Sequence, residues 1–151
     1  MPIDLQYLFI DAVTDTSTTA KYQVGTRRRQ NGREYVYQQA DDAITVNQAV
    51  KLDLAASASG LKVTPTAAAG DSVFGIAETA IADESYGWIT VRGVAAALVA
   101  AGTTADDPMG ASGTAGVLAK ISEAGSGDYK FVGAIAMETS AGAATKNVYL
   151  R

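Results

Sequence analysis

The sequence predicts an all-β fold in which two similar β units fill one barrel or sandwich, preceded by an N-terminal arm. Three observations carry this. Short segments of alternating apolar and polar residues succeed one another, divided by Gly, Asn-Gly or Pro. The 15 Gly residues stand among many Thr, Ala and Ser, a composition of turns and short strands. Several segments also recur further along the chain at a nearly constant offset. The length, 151 residues, fits one domain and suffices for a core without a metal or disulfide staple.

Residues 1–20 differ from the rest. Ile3, Leu5, Tyr7, Leu8, Phe9 and Ile10 make an apolar patch, and Asp4, Asp11 and Asp15 are the only charges. A polar run, Thr14-Asp15-Thr16-Ser17-Thr18-Thr19, follows and favours extended or irregular backbone. The segment reads either as a first strand with its loop or as an arm that leaves the domain. On the second reading, residues 1–20 are the arm and 21–151 the β-barrel domain, and Leu5, Tyr7, Leu8 and Phe9 are candidate contacts with a neighbouring subunit or a partner.

Residues 22–39 carry the clearest local signal. Tyr22-Gln23-Val24-Gly25-Thr26-Arg27-Arg28-Arg29 leads into Gln30-Asn31-Gly32, and Arg33-Glu34-Tyr35-Val36-Tyr37-Gln38 follows. Asn-Gly between two strand-like runs predicts a type I′ hairpin, because both central positions need positive φ. Tyr35 and Tyr37 then share one face and Val36 takes the other. Arg27, Arg28, Arg29 and Arg33 cluster around this turn. They read as an exposed edge guarded by charge, or as a contact to acidic side chains of a partner.

Further strands follow in order. Residues 49–54 alternate apolar and charged, and 55–60 form a turn. Leu61-Lys62-Val63-Thr64 alternates again and stops at Pro65; residues 73–78 make the next strand. Gly87-Trp88-Ile89-Thr90-Val91-Arg92-Gly93 places Trp88, Thr90 and Arg92 on one face and Ile89 and Val91 on the other. Trp88 reads as core or subunit contact. Residues 94–101 favour helix by their Ala and Leu content, but so short a run between glycines makes a poor isolated helix, and strand is expected.

The repeat is visible in the second half. Thr45-Val46-Asn47-Gln48-Ala49-Val50 resembles Thr104-Ala105-Asp106-Asp107-Pro108-Met109, and Ile89-Thr90-Val91-Arg92 matches Val148-Tyr149-Leu150-Arg151, both 59 residues apart. Between them, Gly60-Leu61 recurs as Gly116-Val117. Val73-Phe74-Gly75-Ile76-Ala77 recurs, shifted, within Phe131-Val132-Gly133-Ala134-Ile135-Ala136.

Chemistry is sparse. The chain has no Cys and no His, which removes thiol nucleophiles, Ser-His-Asp arrangements and the usual zinc and haem ligands. Twelve basic against 16 acidic residues, net −4, argue against wholesale nucleic-acid binding. Asp41-Asp42, Asp83-Glu84 and Asp106-Asp107 read as turn markers, since adjacent residues on a strand face opposite ways. No calcium-loop or phosphate-loop motif occurs. The expectation is a protein that is not an enzyme and takes no cofactor or metal. Residues 1–13 hold no Lys or Arg, and the longest low-polarity run, 93–102, is about half of what a membrane helix needs. The chain is therefore expected to be made and kept in a cytoplasm, or released by lysis, without membrane contact.

Gly32-Arg33-Glu34-Tyr35-Val36-Tyr37, residues 42–50, residues 93–104, Asp107-Pro108-Met109-Gly110, Gly113-Thr114-Ala115-Gly116 and Val132-Gly133-Ala134-Ile135-Ala136 together resemble the capsid decoration, or cement, proteins of tailed bacteriophages. The resemblance spans residues 22–151 and is a pattern rather than one diagnostic motif. It implies a small β-barrel or β-tulip-like domain on the outside of an assembled shell, at junctions of major capsid protein hexamers. It further implies a homotrimer, with no catalytic residues and no direct contact with nucleic acid. Another virion β module, such as a tail, fibre or glycan-binding domain, is the rival reading, as is an enzyme with a histidine-free site.

Overall fold

The computed structural model describes residues 9–55, 62–121 and 133–151. Leu5, Tyr7 and Leu8, most of the turn expected at 55–60, and the repeat members Gly60, Leu61, Phe131 and Val132 lie outside them. All regular structure among the described residues is β: β1 (Arg27–Gln30), β2 (Arg33–Ala40), β3 (Gln48–Asp53), β4 (Lys62–Pro65), β5 (Gly75–Ala77), β6 (Tyr86–Val99), β7 (Pro108–Ala111), β8 (Leu118–Lys120), β9 (Ala134–Ala136) and β10 (Ala144–Leu150).

The pairings close into two barrel-like rings that share β6. In the first, β2 lies parallel to β4, β4 antiparallel to β3, β3 to β5, β5 to β6, and β6 returns to β2. In the second, β6 lies parallel to β8, β8 antiparallel to β7, β7 to β9, β9 to β10, and β10 returns to β6. Neither ring is a fully laddered barrel. The β5–β6 closure rests on Ile76 and Thr90, and the β6–β8 closure on Val99 and Leu118.

The strand expected over 87–93 and the one expected over 94–101 are one continuous strand. Gly93 makes this continuity workable. It sits at φ +94, and a Cβ there would lie 2.7 Å from the Gly32 carbonyl oxygen. A side chain would be strained by the backbone and obstructed by the hairpin turn at once.

The repeat is structural. Asn47 and Asp106, 59 residues apart, both take positive φ just ahead of β3 and β7. Their amides donate to Ala77 O at 2.7 Å and Ala136 O at 2.8 Å, acceptors also 59 apart. Thr45 N donates to the Gln48 side chain at 2.9 Å, and Thr104 N to that of Asp107 at 2.7 Å. Val50 pairs Gly75 as Met109 pairs Ala134, and Gln39 pairs Tyr86 as Leu98 pairs Thr145. Only the fourth strand shifts. Ala40 faces Val63 where Val99 faces Leu118, so the loop before β8 is four residues shorter.

Each ring has its own apolar cluster. Ala40, Ile44, Val50, Val63, Ala77, Ile81 and Ile89 fill the first. Ala95, Ala97, Val99, Met109, Leu118, Ala134, Ala136, Val148 and Leu150 fill the second, joined by Ala49 and Ile76 from the first ring. Burying each Val, Ile or Leu contributes roughly 1.5–3 kcal/mol. A third cluster, Tyr35, Tyr37 and Trp88, lies on the other face of β2 and β6. The expected alternation holds for Tyr35, Tyr37 and Trp88 against Ile89 and Val91, and breaks after Val91, where a register shift pairs Arg92 with Glu34.

Gly93→Ala is expected to lower stability by about 1–3 kcal/mol. Gly113→Ala, at a site with open space and no positive φ, should be near neutral. Urea denaturation of both variants checks this, and equal midpoints would contradict the account of β6.

Candidate functional site

The hairpin turns at Asn31 (φ 51) and Gly32 (φ 74), the double positive φ that a type I′ turn requires. Its register pairs Arg27 with Val36, Arg28 with Tyr35, Arg29 with Glu34 and Gln30 with Arg33. Period-two alternation then separates the three consecutive arginines. Arg27 and Arg29 emerge on one face, where both bind Glu34. Arg27 Nη1 donates to Glu34 Oε1, and Arg29 Nε donates to Oε2 at 3.2 Å. Both arginine side chains stay exposed, 65% and 80%.

Arg28 takes the opposite face and is 8% exposed. Its Nη1 donates to the Asp11 carbonyl at 2.6 Å, and its guanidinium lies 5.2 Å from the Phe9 ring centre and 5.8 Å from that of Trp88. The four arginines therefore do not share one exposed surface, as the sequence leads one to expect. The strand pleat turns Arg28 inward, where the aromatic cluster and one carbonyl receive it.

Arg33 reaches across the fold. Its Nη1 lies 3.0 and 3.1 Å from the two Glu78 carboxylate oxygens. Glu78 also accepts from Thr90 Oγ1 at 2.9 Å and Ala96 N at 3.4 Å. One carboxylate thus ties the hairpin to both halves of β6.

Phe9 stands edge-on to Trp88 and Tyr22, each at 5.3 Å. Tyr22 in turn stands perpendicular to Tyr37. Ser17 exchanges backbone hydrogen bonds with Tyr86 at 3.0 and 2.8 Å, and Lys21 pairs with Asp11 at 3.0 Å. This part of the N-terminal segment packs on its own domain, while Ile10 is 94% exposed. Of the apolar contact candidates, only Phe9 lies within the described residues.

Sequence reasoning missed Arg92. It faces Glu34 across the β2–β6 ladder, next to a register shift, and is exposed. Both Glu34 oxygens are already engaged, and Arg92 has no ion pair among the described residues. Arg29, Gly32, Arg33, Glu34, Arg92, Gly93 and Tyr149 line a groove of about 370 Å³. Strict alternation expects Arg92 on the Trp88 face, but the register shift skips Val91 and brings Arg92 opposite Glu34 instead, a long-range pairing for which no local signal exists.

The acidic pairs sit at turns and bends. Asp41 and Glu84 hold Lys62, Asp42 accepts from Thr64, and Asp107 pairs with Lys120. Hydrogen bonds to Glu84 and Asp41 push the Lys62 ammonium well above its ordinary value. The Arg27 hydrogen bond, aided by Arg29, holds the Glu34 carboxyl below the ordinary 4.5.

Comparison with protein-family models returns no match, and neither does comparison with curated proteins. Among solved structures, the N base of the head fibre gp8.5 of bacteriophage phi29 is similar in fold. Its TM-score is 0.57 at 8% identity, over 78% of this chain and 92% of that one.

Two outcomes are expected. Arg28→Glu should destabilise the fold by about 2–4 kcal/mol, and Arg29→Ala by no more than about 1 kcal/mol; equal melting temperatures would contradict the burial assigned to Arg28. Glu34 titrates lower folded than unfolded, so its arginine bonds stabilise the fold above the ordinary carboxyl value and are lost as pH falls through the depressed one. Acid unfolding of Glu34→Gln should therefore start from lower stability at neutral pH and fall less steeply toward pH ~3 than wild type. Parallel curves would show that Glu34 adds nothing to the linkage.

Proposed function

We propose that this chain is a structural protein of a tailed-phage virion that binds the outer surface of the assembled capsid and stabilises it. The observation that carries the reading is the likeness in fold to a domain named as the base of a phage head fibre, across nearly all of that domain. The resemblance of residues 22–151 to capsid decoration proteins supports it independently. A domain with this role works by binding rather than by catalysis, as a homotrimer whose partner is the major capsid protein. Leu5, Tyr7 and Leu8, ahead of Phe9, serve as further contacts.

The mechanism is mass action. A protein that binds the expanded shell and no other state stabilises it by RT ln(1 + [L]/Kd) per site, about 2.7 kcal/mol at a hundredfold excess over Kd. Many copies, each with a modest contact, then oppose internal pressure together. The name of the structural neighbour favours one second reading, in which the domain is the base that seats a fibre on the head.

Full-length protein mixed with expanded empty shells should co-sediment with them to saturation and raise the temperature at which they disrupt. Absence from the shell fraction at every concentration would contradict the proposal. Saturation at far fewer copies than there are hexamer junctions would favour the fibre base.

A further inference from the structure

The groove beside the hairpin holds a cationic group that no carboxylate among the described residues pairs. Arg29, Arg33 and Arg92 line the groove against Glu34, with Arg27 on the outer side of Glu34 and Glu78 behind Arg33, in a chain of net charge −4. The two carboxylates are spoken for: Glu34 by Arg27 and Arg29, Glu78 by Arg33, Thr90 and the Ala96 amide. Arg28 is turned inward. Arg92 remains, exposed and without an ion pair among the described residues, and the exposed Arg29 side chain stands on the same groove. Gly32 and Gly93 contribute no side chains to this groove, and Tyr149, 43% exposed, adds an aromatic side chain to its lining.

We infer that this groove binds a carboxylate-bearing loop of a partner protein, with Arg92 as its principal contact and Arg29 beside it. A planar guanidinium takes a carboxylate through two parallel hydrogen bonds, which a lysine cannot reproduce. The local excess of positive charge favours an anion, while the net −4 of the chain opposes a long polyanion that runs beyond the patch. One or two Asp or Glu side chains on a protein surface meet both conditions; a nucleic acid or an acidic polysaccharide does not. The inference rests on the capsid reading in one respect, that the partner is the shell protein.

The test uses full-length protein, expanded empty shells from the phage that encodes it, and a free peptide of alternating Glu and Ser. Arg92→Glu should weaken shell binding about tenfold or more and flatten its salt dependence. Its melting temperature should stay unchanged, and Arg92→Lys should recover part of the loss. If wild type and Arg92→Glu bind shells equally, the groove assignment is overturned and capsid attachment stands. If wild type does not bind shells, capsid attachment falls and the peptide decides the groove. Amide shifts at Gly32 and Gly93 on titration, lost in Arg92→Glu, sustain it, and their absence overturns it. Tighter, Arg92-dependent binding of heparin than of the peptide also overturns it, in favour of a polysaccharide.

Discussion

Strand β6 is the final strand of the first ring and the opening strand of the second, so both cores depend on its path. Residues 86–92 pair with β2, and residues 93–99 with β10. The hinge of that double duty is Gly93, in a left-handed backbone conformation against the carbonyl of Gly32. The type I′ turn therefore does more than join β1 to β2. It lies against the point where one unit hands over to the next. Arg33 and Glu78 reinforce this contact, since Glu78 binds Thr90 on one side of the hinge and the Ala96 amide on the other.

The two units keep a common backbone plan and differ in what they present outward. Tyr35, Tyr37 and Trp88 of the first unit correspond by register to Val94, Ala96 and Asn147 of the second. The large aromatic rings receive Phe9, Tyr22 and Arg28, so in the first unit this face becomes the bed for residues 9–22. The cores differ too, with Ile and Val prominent in the first and Ala in the second. One strand plan used twice, with different side chains, gives a single chain with one clad face and one charged groove.

Much of the fold was legible in the sequence because its signals are local. Asn31-Gly32 announced its turn, Pro65 closed β4, and alternation assigned Trp88 and Ile89 to opposite faces. The repeat was legible at Thr45 and Thr104 because both positions precede a positive-φ residue held by the same hydrogen bonds. The length of β6 was not, because Gly93 resembles a strand terminator until Gly32 is known to lie against it. The site was half legible. The arginine cluster stood out, but only strand register shows that Arg28 is buried, that Arg27 and Arg29 share Glu34, and that Arg92 of β6 comes opposite the same residue.

A density map of the virion at a resolution that shows strands is the most direct test of the capsid assignment. The account predicts the double-ring domain on the outer face of the capsid, with the groove of Arg29, Arg92 and Tyr149 turned toward acidic side chains of the shell protein. The same domain found only in the tail, or missing from the particle, would contradict it.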